Sequence, residues 1–491
     1  MLAIIAFAAF AVLRGPHGWS PSYEEPVAQA VLERLPATSA LAFFAFAAAT
    51  GLGAIIGFAR ARARAPVLRA ALAVLQLAGR STLVIVFAIF LQFVFLFTGA
   101  LPVAGIAATD AFDVGDRLRH LLGPVLCFAL PFGAWISLIF YDCARTAGDA
   151  VRPSARGIVA PVAKAAAWVG PPLLASMLFI EPMFAWPGIV RLFSQGLRGF
   201  DTGVIAVCLL LYCAAIVMTD LIAQWVSDPQ AAAPYQPDAA RTFARGRKGS
   251  NAVIVAATVV LLFAVFCALA ANAIAPAGPY FIDQLHWQGY PLAPGVGGHP
   301  LGTDENGRDL LARVLVGLRT SLGIAVLAAL IAAAIGFLVA KATTSLQPVQ
   351  DRAALSAIGI RPFAGFPFVL AAVTLLVART GGVRVLSPPL IALLIALVSW
   401  PAVLPAFRRL TTATLGGLVD LVACALLLEA TQSMIGFGVQ PPTPSLGNMF
   451  QNAQSNVTIA PWDPIVSSAV LTVVVIALYA IGDQLRERDR L

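Results

Sequence analysis

Eleven stretches of mostly apolar residues recur along the 491-residue chain, beginning near Thr38, Thr82, Leu121, Ile158, Thr202, Asn251, Ser321, Phe363, Pro389, Thr412 and Pro464. Each is about 20 residues long, the length a helix needs to cross roughly 30 Å of hydrocarbon. Lipid offers no partner to a backbone N–H or C=O, so runs of this kind are viable only as helices that satisfy those groups internally. A further run, Leu2 to Leu13, is too short to cross at about 1.5 Å per residue. Composition agrees: 59% of residues are apolar and 11% charged, where soluble domains carry about 45–50% and about 25%. The expected fold is an all-α polytopic membrane protein with about 11 or 12 transmembrane helices.

The same composition excludes several chemistries. The six cysteines (Cys127, Cys143, Cys208, Cys213, Cys267, Cys424) form no CxxC pair, and with four histidines they show no metal-ligand spacing. Most sit inside apolar runs, where a cysteine is an ordinary small buried residue. No Walker A loop and no GxGxxG element occurs, so no nucleotide site, cofactor, metal or enzymatic centre is expected. Met1–Leu13 has no basic residue ahead of its apolar run, which argues against a cleavable signal peptide. The net charge of +8 fits positive loops on the cytoplasmic side of a membrane better than nucleic acid.

Basic residues fall in alternate loops: Arg60, Arg62, Arg64 and Arg69; Arg145, Arg152, Arg156 and Lys164; Arg241, Arg245, Arg247 and Lys248; Lys341, Arg352 and Arg361; Arg408 and Arg409; and the tail from Arg486 to Arg490. The opposite loops hold Glu24–Glu25, Asp110–Asp113–Asp116 and Asp304–Glu305. By the positive-inside rule both termini are expected in the cytoplasm. Trp225 to Ser250 is the most polar stretch between runs, with three prolines and a basic end, and reads as a linker. It divides the chain into 1–225 and 251–491, with 226–250 on the cytoplasmic side.

Three clusters depart from generic membrane sequence. The first is His299-Pro300-Leu301-Gly302-Thr303-Asp304-Glu305-Asn306-Gly307-Arg308-Asp309. Its proline and glycines make a turn, and Thr303 or Asp304 is expected to cap a helix starting near Glu305 on the outer face of the membrane. The second runs from Glu429 through Gly436 and Gly438 to Gln440, Pro441, Pro442, Thr443, Pro444 and Gly447. There glycine ends a helix and the prolines are expected to form an extended segment. The third, Glu181-Pro182-Met183-Phe184-Ala185-Trp186-Pro187-Gly188, repeats the theme in the first half. In both halves an acidic residue of the fifth apolar run precedes a Gly/Pro external re-entry. Intramembrane carboxylates are functional candidates, and such a correspondence suggests parallel repeats with a translocation path between them. Glu181, Trp186, Pro187, Gly188 and Glu429 are therefore the candidates for that path.

HPLGTDENGRDLLARVLVGLRTSLGIAVL and LLLEATQSMIGFGVQPPTPSLGNMFQNAQ closely resemble the second permease subunit of dipeptide/oligopeptide/nickel-type ABC importers. AVLERLPATSALAFFAFAAATGLGAIIGFARA and IEPMFAWPGIVRLF resemble the first permease subunit of the same systems. The resemblance covers nearly the whole chain and implies two related six-helix type I permease halves fused in one polypeptide. It further implies a bacterial cytoplasmic (inner) membrane location, passage of peptides or similar small solutes, cytoplasmic ABC ATPase subunits that bind the ATP, and a periplasmic or extracellular substrate-binding protein. Membrane lipid is the remaining partner. ATPase coupling would fall to Ala144, Arg145 and Gly148, followed by Arg152 and Arg156. Docking of the binding protein would fall to Gly302, Thr303, Asp304, Gly307, Arg308 and Asp309 together with Gln440, Pro441, Pro442, Pro444 and Gly447.

The chain departs from the family pattern at the coupling loops. The approach to Ala144 is about a dozen residues shorter than the pattern, and the second half passes from Arg408–Arg409 into the next apolar run with no room for a docking helix. Ala78-Gly79-Arg80-Ser81 replaces the usual Ser-Ile-Pro-Ser, so Arg80 either snorkels to the membrane edge or faces the pathway. A degenerate permease without ATPase coupling, or an ion-coupled secondary transporter, stands as the alternative at this point.

Overall fold

A computed structural model describes residues 18–21, 23–81, 84–103, 105, 113–146, 155–226, 247–275, 278–282, 290–342, 365–379, 387–403, 412–450 and 459–488. Leu2–Leu13 and most of the linker lie outside them. The described chain is almost wholly helical: α1 Val27–Arg62, α2 Pro66–Ser81, α3 Val84–Thr98, α4 Val114–Thr146, α5 Ala155–Met183, α6 Ile189–Gly199, α7 Thr202–Val226, α8 Arg247–Leu269, α9 Ala271–Ile274, α10 Leu310–Ala342, α11 Phe366–Arg379, α12 Pro388–Val403, α13 Thr412–Met434 and α14 Trp462–Arg488. A two-residue antiparallel ribbon, Trp19–Ser20 with Glu25–Pro26, precedes α1.

Every one of the eleven apolar runs coincides with a helix. Eight of these helices (α1, α4, α5, α7, α8, α10, α13 and α14) are long and apolar enough to cross a membrane. The other three, α3, α11 and α12, have 15, 14 and 16 residues. The chain is a polytopic all-α membrane protein. Its helices turn large apolar side chains outward, as on α8, where Val255, Val259, Leu262, Phe263, Phe266 and Leu269 are all exposed. In water such a stripe would be a liability. Against lipid it is the ordinary outer face of a span.

The helices form two compact units, one of Met1–Ala239 with Phe363–Gly382, the other of Ala240–Pro362 with Val383–Leu491. Helix α11, from late in the chain, thus groups with the first unit, where Phe368 meets the ring of Tyr212 on α7 at 6.2 Å between centroids.

In the first unit α1 runs alongside α4. Lipid gives no hydrophobic drive to helix pairing, so close approach depends on small residues that let backbones meet. Gly53 and Gly57, four apart on α1, supply them. A Cβ on Gly57 would lie 2.6 Å from the Ser137 carbonyl oxygen and 2.9 Å from the Tyr141 nitrogen; one on Gly53 would lie 2.8 Å from Ile136. Helix α2 closes on the same partner through Gly79, whose Cβ would sit 2.6 Å from Ala134. Gln76 donates from Nε2 to Ser137 Oγ at 2.6 Å. Arg80 does not snorkel: it is 9% exposed, with its guanidinium 5.8 Å from the Trp135 ring.

The second unit is built on α10, which packs along α12 and α13, while α14 pairs with α13 and α8. Alanines dominate the seam, with Ala329, Ala332 and Ala396 closing on Val403 and Leu421.

The α1–α4 contact yields a direct test. Gly57→Leu forces side-chain atoms into backbone and should lower the melting temperature in detergent, at a cost on the order of 1–3 kcal/mol. Gly51→Leu, on the same helix with nothing within 4 Å of its Cβ position, should leave melting unchanged.

Candidate functional site

The polar clusters singled out in the sequence fold as hydrogen-bonded junctions where the chain leaves a helix. In the second unit the junction forms around Asp304. Its Oδ1 accepts the backbone N–H groups of Asn306 and Arg308, each at 2.9 Å. Its Oδ2 takes Arg308 Nε at 2.8 Å and Arg313 Nε at 3.1 Å. Asp304 and Arg313 are both buried, so the pair is sequestered from water and fully hydrogen-bonded on the acid side. Asp463, buried in the first turn of α14, lies within electrostatic reach of both arginines.

The structure corrects the expected cap. The helix does not begin near Glu305 as a separate surface element. It begins at Leu310 and continues unbroken to Ala342. Asp309 is the capping residue, accepting the Ala312 N–H through Oδ2 at 2.8 Å while Oδ1 meets His299 Nδ1 at 2.8 Å. Asp304 and Thr303 are drawn into other bonds. The Thr303 hydroxyl accepts the Leu292 N–H at 2.8 Å, and the Thr303 carbonyl accepts Trp462 Nε1 at 3.0 Å. Gly302 and Gly307 have φ of 80° and 75°, the left-handed region. A Cβ on Gly302 would also lie 2.6 Å from the Leu292 carbonyl oxygen.

The second cluster begins as α13 ends. The Gly436 N–H bonds the Ser433 carbonyl at 3.1 Å and the Phe437 N–H bonds the Gln432 carbonyl at 2.9 Å, with Gly436 left-handed at φ 83°. This is the paired C-terminal closure that glycine permits. The proline run that follows is not extended: residues 441–443 turn back. The cause is Asn448, whose Nδ2 donates to the Val439 and Thr443 carbonyls at 3.2 and 2.7 Å, holding both sides of the turn with one amide. Gln440 Nε2 bonds the Gly436 carbonyl at 2.8 Å. Pro441 and Pro442 are exposed at the tip, and Pro444 and Gly447 are buried beneath it.

Glu429 is fully buried and accepts the Ser433 hydroxyl at 2.7 Å. The hydroxyls of Ser321 and Ser445 face the same carboxyl group.

In the first unit Glu181 is likewise fully buried. Its Oε1 accepts the Thr38 hydroxyl at 2.7 Å and its Oε2 accepts the Arg191 N–H at 2.8 Å. A carboxylate from α5 thereby occupies the N-terminal end of α6, where unpaired N–H groups and the helix dipole favour negative charge. Gly188 makes room, since any Cβ there would strike that carboxylate. Trp186 is buried and donates from Nε1 to the Ala37 carbonyl at 3.0 Å, while Pro187 is exposed. Gln92 bonds the Val103 and Met183 carbonyls at 3.1 and 2.9 Å. Nearby, Ser20 donates to Asp201 Oδ2 at 2.5 Å, and Asp201 caps α7 through the Val204 N–H at 3.1 Å.

Of the residues expected to meet an ATPase, Gly148 and Arg152 lie outside the described residues, as do the side chains of Arg145 and Arg156. Ala144 is partly buried in the last turn of α4. Among the described residues no group of three or more His, Cys, Asp or Glu side chains could hold a metal ion.

These junctions can be set beside known proteins. A peptide permease protein of Brucella suis biovar 1 is 31% identical over 226 residues, covering 38% of this chain and 72% of its own. The chain belongs to the ABC importer permease family. The oligopeptide transport system permease protein OppC of Mycobacterium tuberculosis is 26% identical over 279 residues, or 50% of this chain and 91% of its own. The glutathione transport system permease protein GsiD of Escherichia coli O1:K1 is 28% identical over 287 residues, or 51% and 91%. No family model matches.

For an ABC importer permease the chemistry on view is architectural: the buried carboxylates and amides hold irregular backbone in place. Sequence reasoning singled out Asp304, Glu181 and Glu429 but not Thr38, which bonds Glu181, nor Ser321, Asn448 and Trp462, which bond nearby backbone. A lone hydroxyl or amide in an apolar run gives no periodic signal. Asp304→Ala would leave Arg313 buried without its carboxylate, which costs on the order of 3–5 kcal/mol. A clear drop in detergent melting temperature is expected, whereas Asn306→Ala at the exposed tip should change it little.

Proposed function

We propose that this permease carries peptides or similarly small polar solutes inward across a bacterial cytoplasmic membrane, with the two halves of its sequence serving as first- and second-subunit-like parts. The observation that carries the substrate class is the similarity to relatives named for peptide, oligopeptide and glutathione transport. In this reading 1–225 and 251–491 are the two halves, 226–250 is a cytoplasmic linker, and both termini face the cytoplasm. The loops bearing basic residues support that orientation.

Separate cytoplasmic ATPases supply the energy. Ala144, Arg145 and Gly148, with Arg152 and Arg156, form the contact, because this basic stretch matches the Ala-Arg-x-x-Gly signature that the family resemblance implies for ATPase coupling. A binding protein outside the membrane delivers substrate to the loops of Gly302–Asp309 and Gln440–Gly447. Within them Gly302, Thr303, Asp304, Asp309 and Gly447 are buried and act as scaffold, while Asn306, Pro441 and Pro442 are exposed and available to touch a partner. Glu181, Trp186, Pro187 and Gly188 in the first unit and Glu429 in the second are the residues assigned to the translocation path.

Two measurements test this reading. Membranes co-expressing the chain with its ATPases and binding protein should accumulate a radiolabelled dipeptide or tripeptide in an ATP-dependent way. ATPase should co-purify with the wild type, and Arg145→Glu combined with Gly148→Pro should abolish both the retention and the uptake. Uptake driven by a proton gradient without any ATPase would overturn the proposal, as would full retention by the double variant.

A further inference from the structure

Each buried glutamate is matched by a hydroxyl residue on the long helix of its own unit, Thr38 for Glu181 and Ser321 for Glu429. In the first unit the Thr38 hydroxyl donates to Glu181 Oε1 at 2.7 Å and accepts the Ile189 N–H at 2.7 Å. In the second, Ser321 Oγ accepts the Leu446 N–H at 3.0 Å and faces the Glu429 carboxyl group. The two hydroxyls occupy matching places. Each lies eleven residues into the long helix of its unit, α1 from Val27 and α10 from Leu310. Fifteen residues further, α1 has Gly53 and then Gly57, and α10 has Gly336 and then Ala340, all buried.

The segments they hold also match. Both follow the helix that carries the glutamate, and both close on it through a glycine. A Cβ on Gly188 would strike the Glu181 carboxylate, and one on Gly447 would strike the backbone of Ala430, the residue after Glu429. The first segment returns within eight residues of its glutamate. The second adds the Pro441–Pro442 turn and still ends on the same hydroxyl position.

We propose that Thr38 and Ser321 are paired positioning residues, each locking the external re-entry segment of its unit to the long helix so that the segment follows that helix and does not move as an independent lid. A hydroxyl suits the task because it accepts the segment's N–H and keeps a proton to give, as Thr38 gives its own to the Glu181 carboxylate. In hydrocarbon surroundings the freed N–H would find no water, which strengthens the constraint. The inference deepens the permease reading and rests on it only for the consequence in uptake.

Hydrogen–deuterium exchange on the purified full chain in nanodiscs tests the lock directly. Thr38→Val should speed exchange at 187–192, and Ser321→Ala should speed it at 445–449, by about fivefold to tenfold each, the worth of one hydrogen bond. Thr38→Ser and Ser321→Thr should restore the wild-type rate. Thr50→Val is the control: Thr50 lies on α1, and its buried hydroxyl has no hydrogen-bond partner among the described residues. Unchanged exchange in both hydroxyl-less variants would overturn the proposal. So would failure of the conservative variants to restore protection, or an equal rise in Thr50→Val. Peptide uptake measured in parallel separates the two readings: a wild type that imports no peptide removes the substrate assignment, while the exchange result alone decides the lock.

Discussion

A backbone that leaves helical geometry beside lipid must find new hydrogen-bond partners within a few ångströms, and the rest of this structure is arranged around meeting that demand. Inside the spans the helix ladder answers it automatically. At the turns it does not, and there several buried polar side chains meet the need. Asp304 answers for the N–H groups of Asn306 and Arg308, Asn448 for the carbonyls of Val439 and Thr443, and Gln92 for those of Val103 and Met183. Glu181 answers for the start of α6. Polar residues in a membrane chain commonly signal a path for solute, but these are occupied in holding the protein's own backbone.

The two units reach that end by different chemistry. In the first, a carboxylate accepts a helix N-terminal N–H directly and Thr38 reinforces it from the side. In the second, the carboxyl of Glu429 works through hydroxyls: Ser433 donates to it and in turn accepts the Val439 N–H at 2.9 Å. The second route is longer and accommodates the inserted Pro441–Pro442 turn. That difference explains why matching segments look so unlike in sequence while beginning at a glutamate and ending at a hydroxyl in both.

What the sequence discloses follows from how local each signal is. Eleven apolar runs are read by counting, and all eleven are helices. The irregular motifs are legible because proline, glycine and acid interrupt the apolar background. The cap was misplaced because Thr303, Asp304 and Asp309 are all competent N-cap residues. Only the tertiary bonds of Thr303 to Leu292 and Asp304 to Arg313 leave Asp309 to do it. The extended reading of 441–444 failed for a similar reason, since the turn is set by Asn448 from outside the proline run. Arg80 reads as a surface cation until Trp135, 55 positions away, is seen to cover it. The grouping of α11 with the first unit has no sequence signal at all.

This division between scaffold and surface bears on how such a permease can diversify. Gly302, Asp304, Gly447, Glu181 and Glu429 are all buried in these junctions, so replacing any of them disturbs packing first. The exposed tips, with Asn306 on one loop and Pro441 and Pro442 on the other, carry none of that burden. Change at the tips therefore leaves the bonds that hold the loops untouched.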